Sequence, residues 1–335
     1  MIIMFFTFVI LKLQMYLLAK ETIVETESRR TAFEEDLMSK IAWYYYIDNL
    51  TQQQIADQVG IPRLRVIKLL EKARQYGIIQ FKIAENNAHV AMENTIAKRF
   101  GIKDVFIVPS ATGMENRNEA LAQAAAIYIA NRLSDNAFIN MGYGDTTCRV
   151  LNHLANNSST RISVVSLTGG VSYYLPNTFS HVFNARLYLT PAPFVMSTKE
   201  MVEAINNEPA VREIAEMVPL SAMTIIGIGG MDENATTVRT GMVTAKDLRY
   251  LAMQGAVGDV LCHFLDINGD PVESPIDDRL ITTPLETLAK QNNVIGVAGG
   301  ENKVNAIIGA LNANILDILI TDQDTAELII KRSGQ

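Results

Sequence analysis

Cysteine and histidine are scarce in this chain of 335 residues. Its two cysteines, Cys148 and Cys262, cannot build a disulfide framework or a four-cysteine zinc site. Its four histidines, His89, His153, His181 and His263, show no metal-ligand spacing. Charge is sparse as well: 19% of residues are charged against 48% hydrophobic, which excludes a disordered chain. GxSxG, HExxH, CxxC and GxxxxGK[ST] are all missing, and with them the commonest nucleophile, zinc-protease, redox and P-loop chemistries. No cofactor and no metal are expected. Free cysteines and the absence of a cleavable leader pattern point to a reduced, cytoplasmic setting.

Positive charge is also lacking overall, since the net charge is −7. Its distribution is uneven. Residues 1–90 carry 11 Lys+Arg against 10 Asp+Glu, while the rest carries 18 against 26. Within 51–83 there are six basic residues against Asp57 and Glu71. A local cationic patch on an acidic chain is what a small DNA-contacting module needs.

The first twenty residues are nearly all apolar, with Lys12 and Gln14 in their middle. A membrane span needs about 20 mostly apolar residues, and no basic leader region or small-residue cleavage site is present. An interfacial anchor, a core helix, or an upstream extension from a misassigned start (with Met15 or Met38 as alternatives) all fit. Residues 1–34 are therefore set apart as an apolar extension, and no membrane partner is expected.

Residues 35–85 hold the sharpest local pattern. Leu37, Ile41 and the aromatic run 43–46 form an apolar helix. Thr51 is placed to cap the next helix, with Gln54 completing a capping box. That helix, Gln52–Val59, stops at Gly60, and Pro62 opens a second helix, Arg63–Tyr76. Ala56 is the small residue at the crossing, and Ile55, Val59, Ile61, Val66 and Leu69 fill the core between the two helices. Arg63, Leu64, Arg65, Ile67 and Lys68 face outward. Arg63, Arg65 and Lys68 suit phosphates or guanine edges, and Ile67 a thymine methyl. Thr51 and Gln52, at the start of the first helix, complete the expected DNA-binding set. A plain helical hairpin would share the charge but not the small residue, glycine turn and five apolar positions together. Ile78–Ile83 alternates like a strand and reads as a wing, and Glu85–Asn87 as a linker.

From residue 90 to 335 short β-branched runs alternate with helical stretches: 105–108, 137–141, 162–167, 224–228, 294–297 and 315–320 as strands. That alternation predicts a Rossmann-like α/β domain with a largely parallel sheet. Ligands of such sheets bind beyond the strand ends, where glycine loops enter helices. Four loops qualify: Gly142–Thr147, Thr168–Gly170, Gly227–Gly230 and Ala298–Lys303. The first offers amides, two hydroxyls and a helix N-terminus to a phosphate, and Lys303 a cation. Asp259 reads either as an acceptor for sugar hydroxyls or as a helix N-terminal aspartate. Cys148 either lines this crevice or is buried and inert. Asn268-Gly269 reads as a hairpin turn.

The segments Ile41–Tyr46, Leu50–Ala56, Arg63–Lys72 and Gly77–Ile79 resemble the N-terminal domain of SorC/DeoR-type bacterial transcriptional regulators. Leu167–Gly170, Pro191–Pro193, Gly255–Asp259, Gly299–Lys303 and Thr321–Ala326 resemble that family's effector domain, in the right order over 37–332. Members that repress autoinducer-2 uptake operons are the most similar, over 41–79 and 255–326. The resemblance implies a homo-oligomeric repressor released from operator DNA by a small phosphorylated carbohydrate, with phosphorylated autoinducer-2 the first candidate. It places phosphate contacts on Gly142, Gly144, Thr146 and Thr147, a second glycine loop on Gly169 and Gly170, a hydroxyl acceptor on Asp259 and a cation on Lys303. Asp145 departs from the family's loop, where an uncharged residue is usual. The family's large domain is also similar to sugar-phosphate isomerases and deaminases, so an enzyme carrying a helical module is the alternative. No histidine lies in a candidate loop to serve as its acid or base.

Overall fold

In this computed structural model, residues 35–46, 48, 50–75, 78, 87–134, 136–157, 162–174 and 185–334 are described. The apolar extension, the wing beyond Ile78, the linker residues 85–86 and His181 lie outside them. The chain divides into two compact units, Met1–Ala84 and Glu85–Gln335.

The first unit is a three-helix module: α1 (35–46), α2 (Gln52–Val59) and α3 (Arg63–Gln75). Thr51 caps α2 in a reciprocal capping box with Gln54, and Gly60 ends it in the left-handed conformation at φ 72°. Its amide donates to the Ala56 carbonyl at 2.9 Å, so the chain reverses within two residues and α3 starts after Pro62. Met38, Ile41, Ile55, Ala56, Val66, Leu69, Leu70 and Ala73 are buried together, with Val59 and Ile61 packed at the edge. Removing one such aliphatic side chain costs about 2–5 kcal/mol.

The second unit contains α4 (Asn87–Phe100), β1 (Asp104–Val108), α5 (Met114–Ala130), β2 (Phe138–Met141), α6 (Asp145–Asn157), β3 (Ile162–Ser166), β4 (Ala185–Tyr188), α7 (Lys199–Asn206) and α8 (Pro209–Met217). There follow β5 (Met223–Gly227), β6 (Gly229–Gly230), α9 (Thr236–Arg239), α10 (Ala245–Met253), β7 (Gly258–Val260), β8 (His263–Leu265) and β9 (Pro271–Val272). The unit ends with α11 (Leu285–Leu288), β10 (Val294–Val297), α12 (Val304–Asn312), β11 (Ile318–Asp322) and α13 (Gln323–Ser333).

Seven strands form a parallel sheet in the order β1-β11-β10-β5-β2-β3-β4. Strands β10 and β11 are buried along their whole length, as a parallel sheet covered on both faces requires. One core packs Ile96, Ile226, Ile307 and Leu319 together. The other joins Leu121, Ile129, Val150 and Leu151 of α5 and α6 to Ile139, Val164 and Ile225 of the sheet.

Beside this sheet stands a small antiparallel one, β6-β7-β8-β9. Asn268-Gly269 is its β8–β9 turn, with Gly269 at φ 89°. Asp259 lies on β7, so its reading as a helix N-terminal aspartate is corrected: strand pairing, not a helix dipole, sets its position. Helix α5 starts at Met114, six residues before the apolar run that opens at Ala120. Its polar first turns, including Arg117 and Asn118, pack toward other loops.

Gly60 is the one residue in the module's turn with a backbone that side chains rarely adopt, and open space surrounds it. Gly60→Ala should therefore cost about 1 kcal/mol through conformation alone. The readout is the unfolding midpoint of the N-terminal module, followed through Trp43 fluorescence, with the large unit's transition unmoved.

Candidate functional site

Two surfaces stand out, one in each unit. In the first, α3 carries Arg63, Leu64, Arg65 and Lys68 exposed, with Ile67 half-buried. The Thr51 hydroxyl is engaged within the cap, bonding Gln54 Oε1 at 2.8 Å and accepting the Gln54 amide at 3.3 Å. Thr51 therefore shapes the start of α2, and with Gln52 and Gln53 it stands beside Arg63 in a groove also lined by Tyr45, Tyr46 and Leu50.

In the second unit the strand order places a pocket. The chain runs outward from β2 to β3 and β4, then returns to the other side of β2 with β5 and continues through β10 and β11. Between β2 and β5 the direction of winding reverses, and such a switch point leaves a crevice beyond the strand ends. The cleft there has a cavity volume of about 70 Å³ and is open at its mouth. Tyr143–Thr147 after β2, Gly227–Gly230 after β5, Asp259 and Leu261, and Asn302-Lys303 after β10 all line it.

Helix α6 begins at Asp145, and its first amides have no intrahelical acceptor. Gly144 takes φ 130° to turn into it, and the Thr147 hydroxyl donates to the Gly144 carbonyl at 3.0 Å. The Asp145 carboxylate is occupied sideways: its Oδ2 accepts from Asn118 Nδ2 and Arg149 Nε, each at 3.0 Å. Arg149 also reaches Glu119 at 2.7 Å. The unusual aspartate is thus paired with a guanidinium, which lessens its repulsion of an anion at the helix start.

Asp259 is 3% exposed. Its Oδ2 accepts from the Tyr143 hydroxyl at 3.2 Å and the Cys262 amide at 3.0 Å. Its Oδ1 lies where a side chain on Gly229 would have to start, so that glycine is required by close approach. Burial pushes the Asp259 pKa up, against the two hydrogen bonds and the charges of Lys303 and His263. Burial likewise pushes the Lys303 ammonium down, while the carboxylates of Asp259, Asp232 and Asp145 draw it back up. Asp232 accepts the Asn234 amide at 2.8 Å and Asn302 Nδ2 at 2.6 Å. One ammonium among three carboxylates, beside a helix start, offers an anion a partner and hydroxyls several acceptors.

The structure therefore brings Gly144, Thr146, Thr147, Asp259 and Lys303 to one cleft. Gly142 lies beneath it, where Leu261 fills the space a Cβ would need. Gly169 and Gly170 do not line it. Their amides donate to the carbonyls of Ile281 and Ala192, both at 2.8 Å, and Gly169 packs under the Pro193 carbonyl. Cys148 is half-buried and outside the lining.

The loop after β6 escaped the sequence analysis. Asp232, Asn234, Thr236, Thr237 and Arg239 all line the cleft. Thr237 is 1% exposed, and its hydroxyl has no hydrogen-bond partner among the described residues, an arrangement that costs about 1–3 kcal/mol unless a ligand or water fills it. Its signal was a second Thr-Thr pair after a glycine loop, matching Thr146-Thr147. Among the described residues no cluster of three or more His, Cys, Asp or Glu could hold a metal, and no helix is long and apolar enough to cross a membrane.

Residues 84–331 match the Sugar-bind family model, described as "Putative sugar-binding domain". The transcriptional regulator LsrR of Klebsiella pneumoniae is 33% identical over 302 residues, covering 89% of this chain and 93% of that protein. LsrR of Escherichia coli K12 is 33% identical over 303 residues, 89% and 95% of the two chains. Among solved structures, the full-length sorbitol operon regulator SorC of Klebsiella pneumoniae superimposes with a TM-score of 0.65 at 25% identity, covering 88% of this chain and 98% of that one.

The raised Asp259 pKa has a consequence for stability. The folded chain holds that proton more tightly than the unfolded chain, so stability falls as pH rises from the ordinary carboxylate pKa of about 4 through the raised value. Asp259→Asn lacks this component and can still accept from Tyr143 and Cys262. The difference in melting temperature should shift in favour of the variant as pH rises above about 4. A constant difference across that range would mean that Asp259 titrates normally.

Proposed function

The chain belongs to the SorC family of sugar-responsive, DNA-binding transcriptional regulators, and from that premise we propose that it is a repressor released from its operator by a small phosphorylated carbohydrate. The observation that carries the effector assignment is Lys303, an ammonium lowered by burial amid Asp145, Asp232 and Asp259 beside the start of α6. An anionic group suits Lys303 and the free amides of Gly144–Thr147. The carbohydrate hydroxyls suit Asp259 and Asp232, and the unpartnered Thr237 hydroxyl suits either end. Phosphorylated autoinducer-2 is the first candidate, because residues 41–79 and 255–326 most resemble the family members that repress autoinducer-2 uptake operons. Gly142 supports this site from below, and Gly169 and Gly170 support the neighbouring 191–193 and 281 segments. The named relatives are regulators rather than isomerases or deaminases, so the enzyme reading has no observation in its favour.

On the DNA side, Arg63, Arg65 and Lys68 carry the phosphate and guanine contacts, and Gln52 assists from the first turn of α2. One helix-turn-helix covers only a few base pairs, so a symmetric oligomer with paired half-sites is part of the reading. Operator DNA and the effector are its partners, and a bacterial operator places it in the cytoplasm. The ligand can lower DNA affinity only by as much as DNA lowers ligand affinity. A hundredfold release therefore requires a hundredfold preference of ligand for the DNA-free state. A change in subunit pairing, and hence in half-site spacing, is the coupling we favour.

Two variants separate the halves of this reading. Arg63→Ala with Arg65→Ala should remove operator affinity by about tenfold or more per half-site while calorimetric ligand binding persists. Lys303→Ala should keep operator affinity in gel-shift assays and lose most of its response to phosphorylated sugars. Ligand affinity of the parent should also fall as pH rises through the lowered Lys303 pKa, sooner than the ordinary lysine value of about 10.4 implies. Equal calorimetric affinity for the same sugar without its phosphate overturns the phosphate assignment.

A further inference from the structure

At 3.6 residues per turn, the core-facing stripe of α3 is Val66, Leu69, Leu70 and Ala73, all buried. Leu64 lies on the opposite side of the helix and is 73% exposed. It makes no contribution to the module's core and is the second residue of α3. Arg63 and Arg65 stand on its two flanks and Lys68 one turn along the same face, all exposed. The centre of the outward face is thus an aliphatic side chain ringed by three cations, while Ile67 is turned partly inward.

That arrangement has a natural counterpart in duplex DNA. The cations meet phosphates and guanine edges, and outward residues in the N-terminal turn of a recognition helix meet base edges in the major groove. The apolar feature on those edges is the thymine C5-methyl group. Building on the DNA-binding reading, we propose that Leu64, rather than Ile67, is the specificity-determining apolar residue and that it packs on a thymine methyl in each half-site. Each half-site then discriminates against a base lacking that methyl, whatever its hydrogen-bonding pattern.

Deoxyuridine differs from thymidine by that methyl alone, so it tests the contact without disturbing pairing. The probe is a duplex selected from a random pool by the full chain, with each thymine replaced singly by deoxyuridine and affinity read by fluorescence anisotropy. Burial of one methyl predicts about a fourfold loss per half-site, and about fifteenfold when both symmetric positions are replaced. Leu64→Ala should bind the thymine duplex more weakly than the parent and be indifferent to deoxyuridine at that position. Ile67→Ala should keep the parent's sensitivity. Leu64 is exposed, so its replacement leaves the module's core intact, and an unchanged melting temperature verifies this. The proposal is overturned if Leu64→Ala retains the deoxyuridine penalty, or if the parent is indifferent at every thymine. A chain that selects no sequence from the pool overturns the DNA-binding reading itself, which is a different failure.

Discussion

A single buried carboxylate joins the parts of the large domain that form its cleft. Asp259 sits on β7 of the small sheet, accepts from Tyr143 in the loop after β2, and presses against Gly229 in the strand after β5. It also accepts the amide of Cys262, in the two-residue turn between β7 and β8. Leu261 and Cys262 take φ 52° and 68° there, a conformation that such turns normally reserve for Asn and Gly. Two non-glycine residues in that region cost about 1–3 kcal/mol each. A charge-assisted bond to the turn's amide offsets part of that cost. Remove the carboxylate and three loops lose their common anchor.

The cost of burying that charge explains the chemistry around it. A carboxylate out of water needs donors and a nearby cation. Tyr143 and Cys262 supply the donors, and Lys303 supplies the cation from the far side of the cleft. The same groups that make Asp259 tolerable leave its Oδ1 at the cleft wall, and leave Lys303 surrounded by more negative than positive charge. On the proposed reading, the anionic group of the effector meets Lys303 together with the amides at the start of α6, and its hydroxyls meet the carboxylates of Asp259 and Asp232. The buried Thr237 hydroxyl, with no partner among the described residues, belongs to the lining of the same cleft from a third loop.

How much of this was legible in the sequence follows from the range of each interaction. The module at 51–75 is held by local bonds (a capping box, a glycine turn, helical periodicity), so its helices were legible nearly to the residue. Six of the seven strands of the parallel sheet were legible because both-sided burial demands β-branched runs, whereas the edge strand β4, with no fully buried residue, was not. The cleft was legible only as a set of loops. That Gly142–Thr147 and Ala298–Lys303 meet, while Gly169 and Gly170 turn away, depends on β5 returning beside β2. Nothing in a glycine's neighbours reports that crossover. The early start of α5 and the Asp232–Arg239 loop were missed for a related reason. Their residues are polar because they face Asp145, Asp322 or the cleft, and polar runs without periodicity read as loop.

Charge places a further constraint on how such a chain uses DNA. Beyond residue 90 the chain carries eight more acidic than basic residues, whereas 51–83 carries four more basic than acidic. Non-specific DNA binding is almost wholly electrostatic, and it grows with the number of phosphates neutralised. A few cations on a net-acidic chain neutralise few of them, so one module binds duplex weakly and dissociates readily. On the proposed oligomeric reading, useful affinity comes from the product of two modules on matched half-sites, where each gains from base contacts as well as phosphates. Because that product is steep in the geometry of pairing, a modest shift between subunits removes most of it. On the proposed coupling, ligand binding in the cleft needs to supply only that shift.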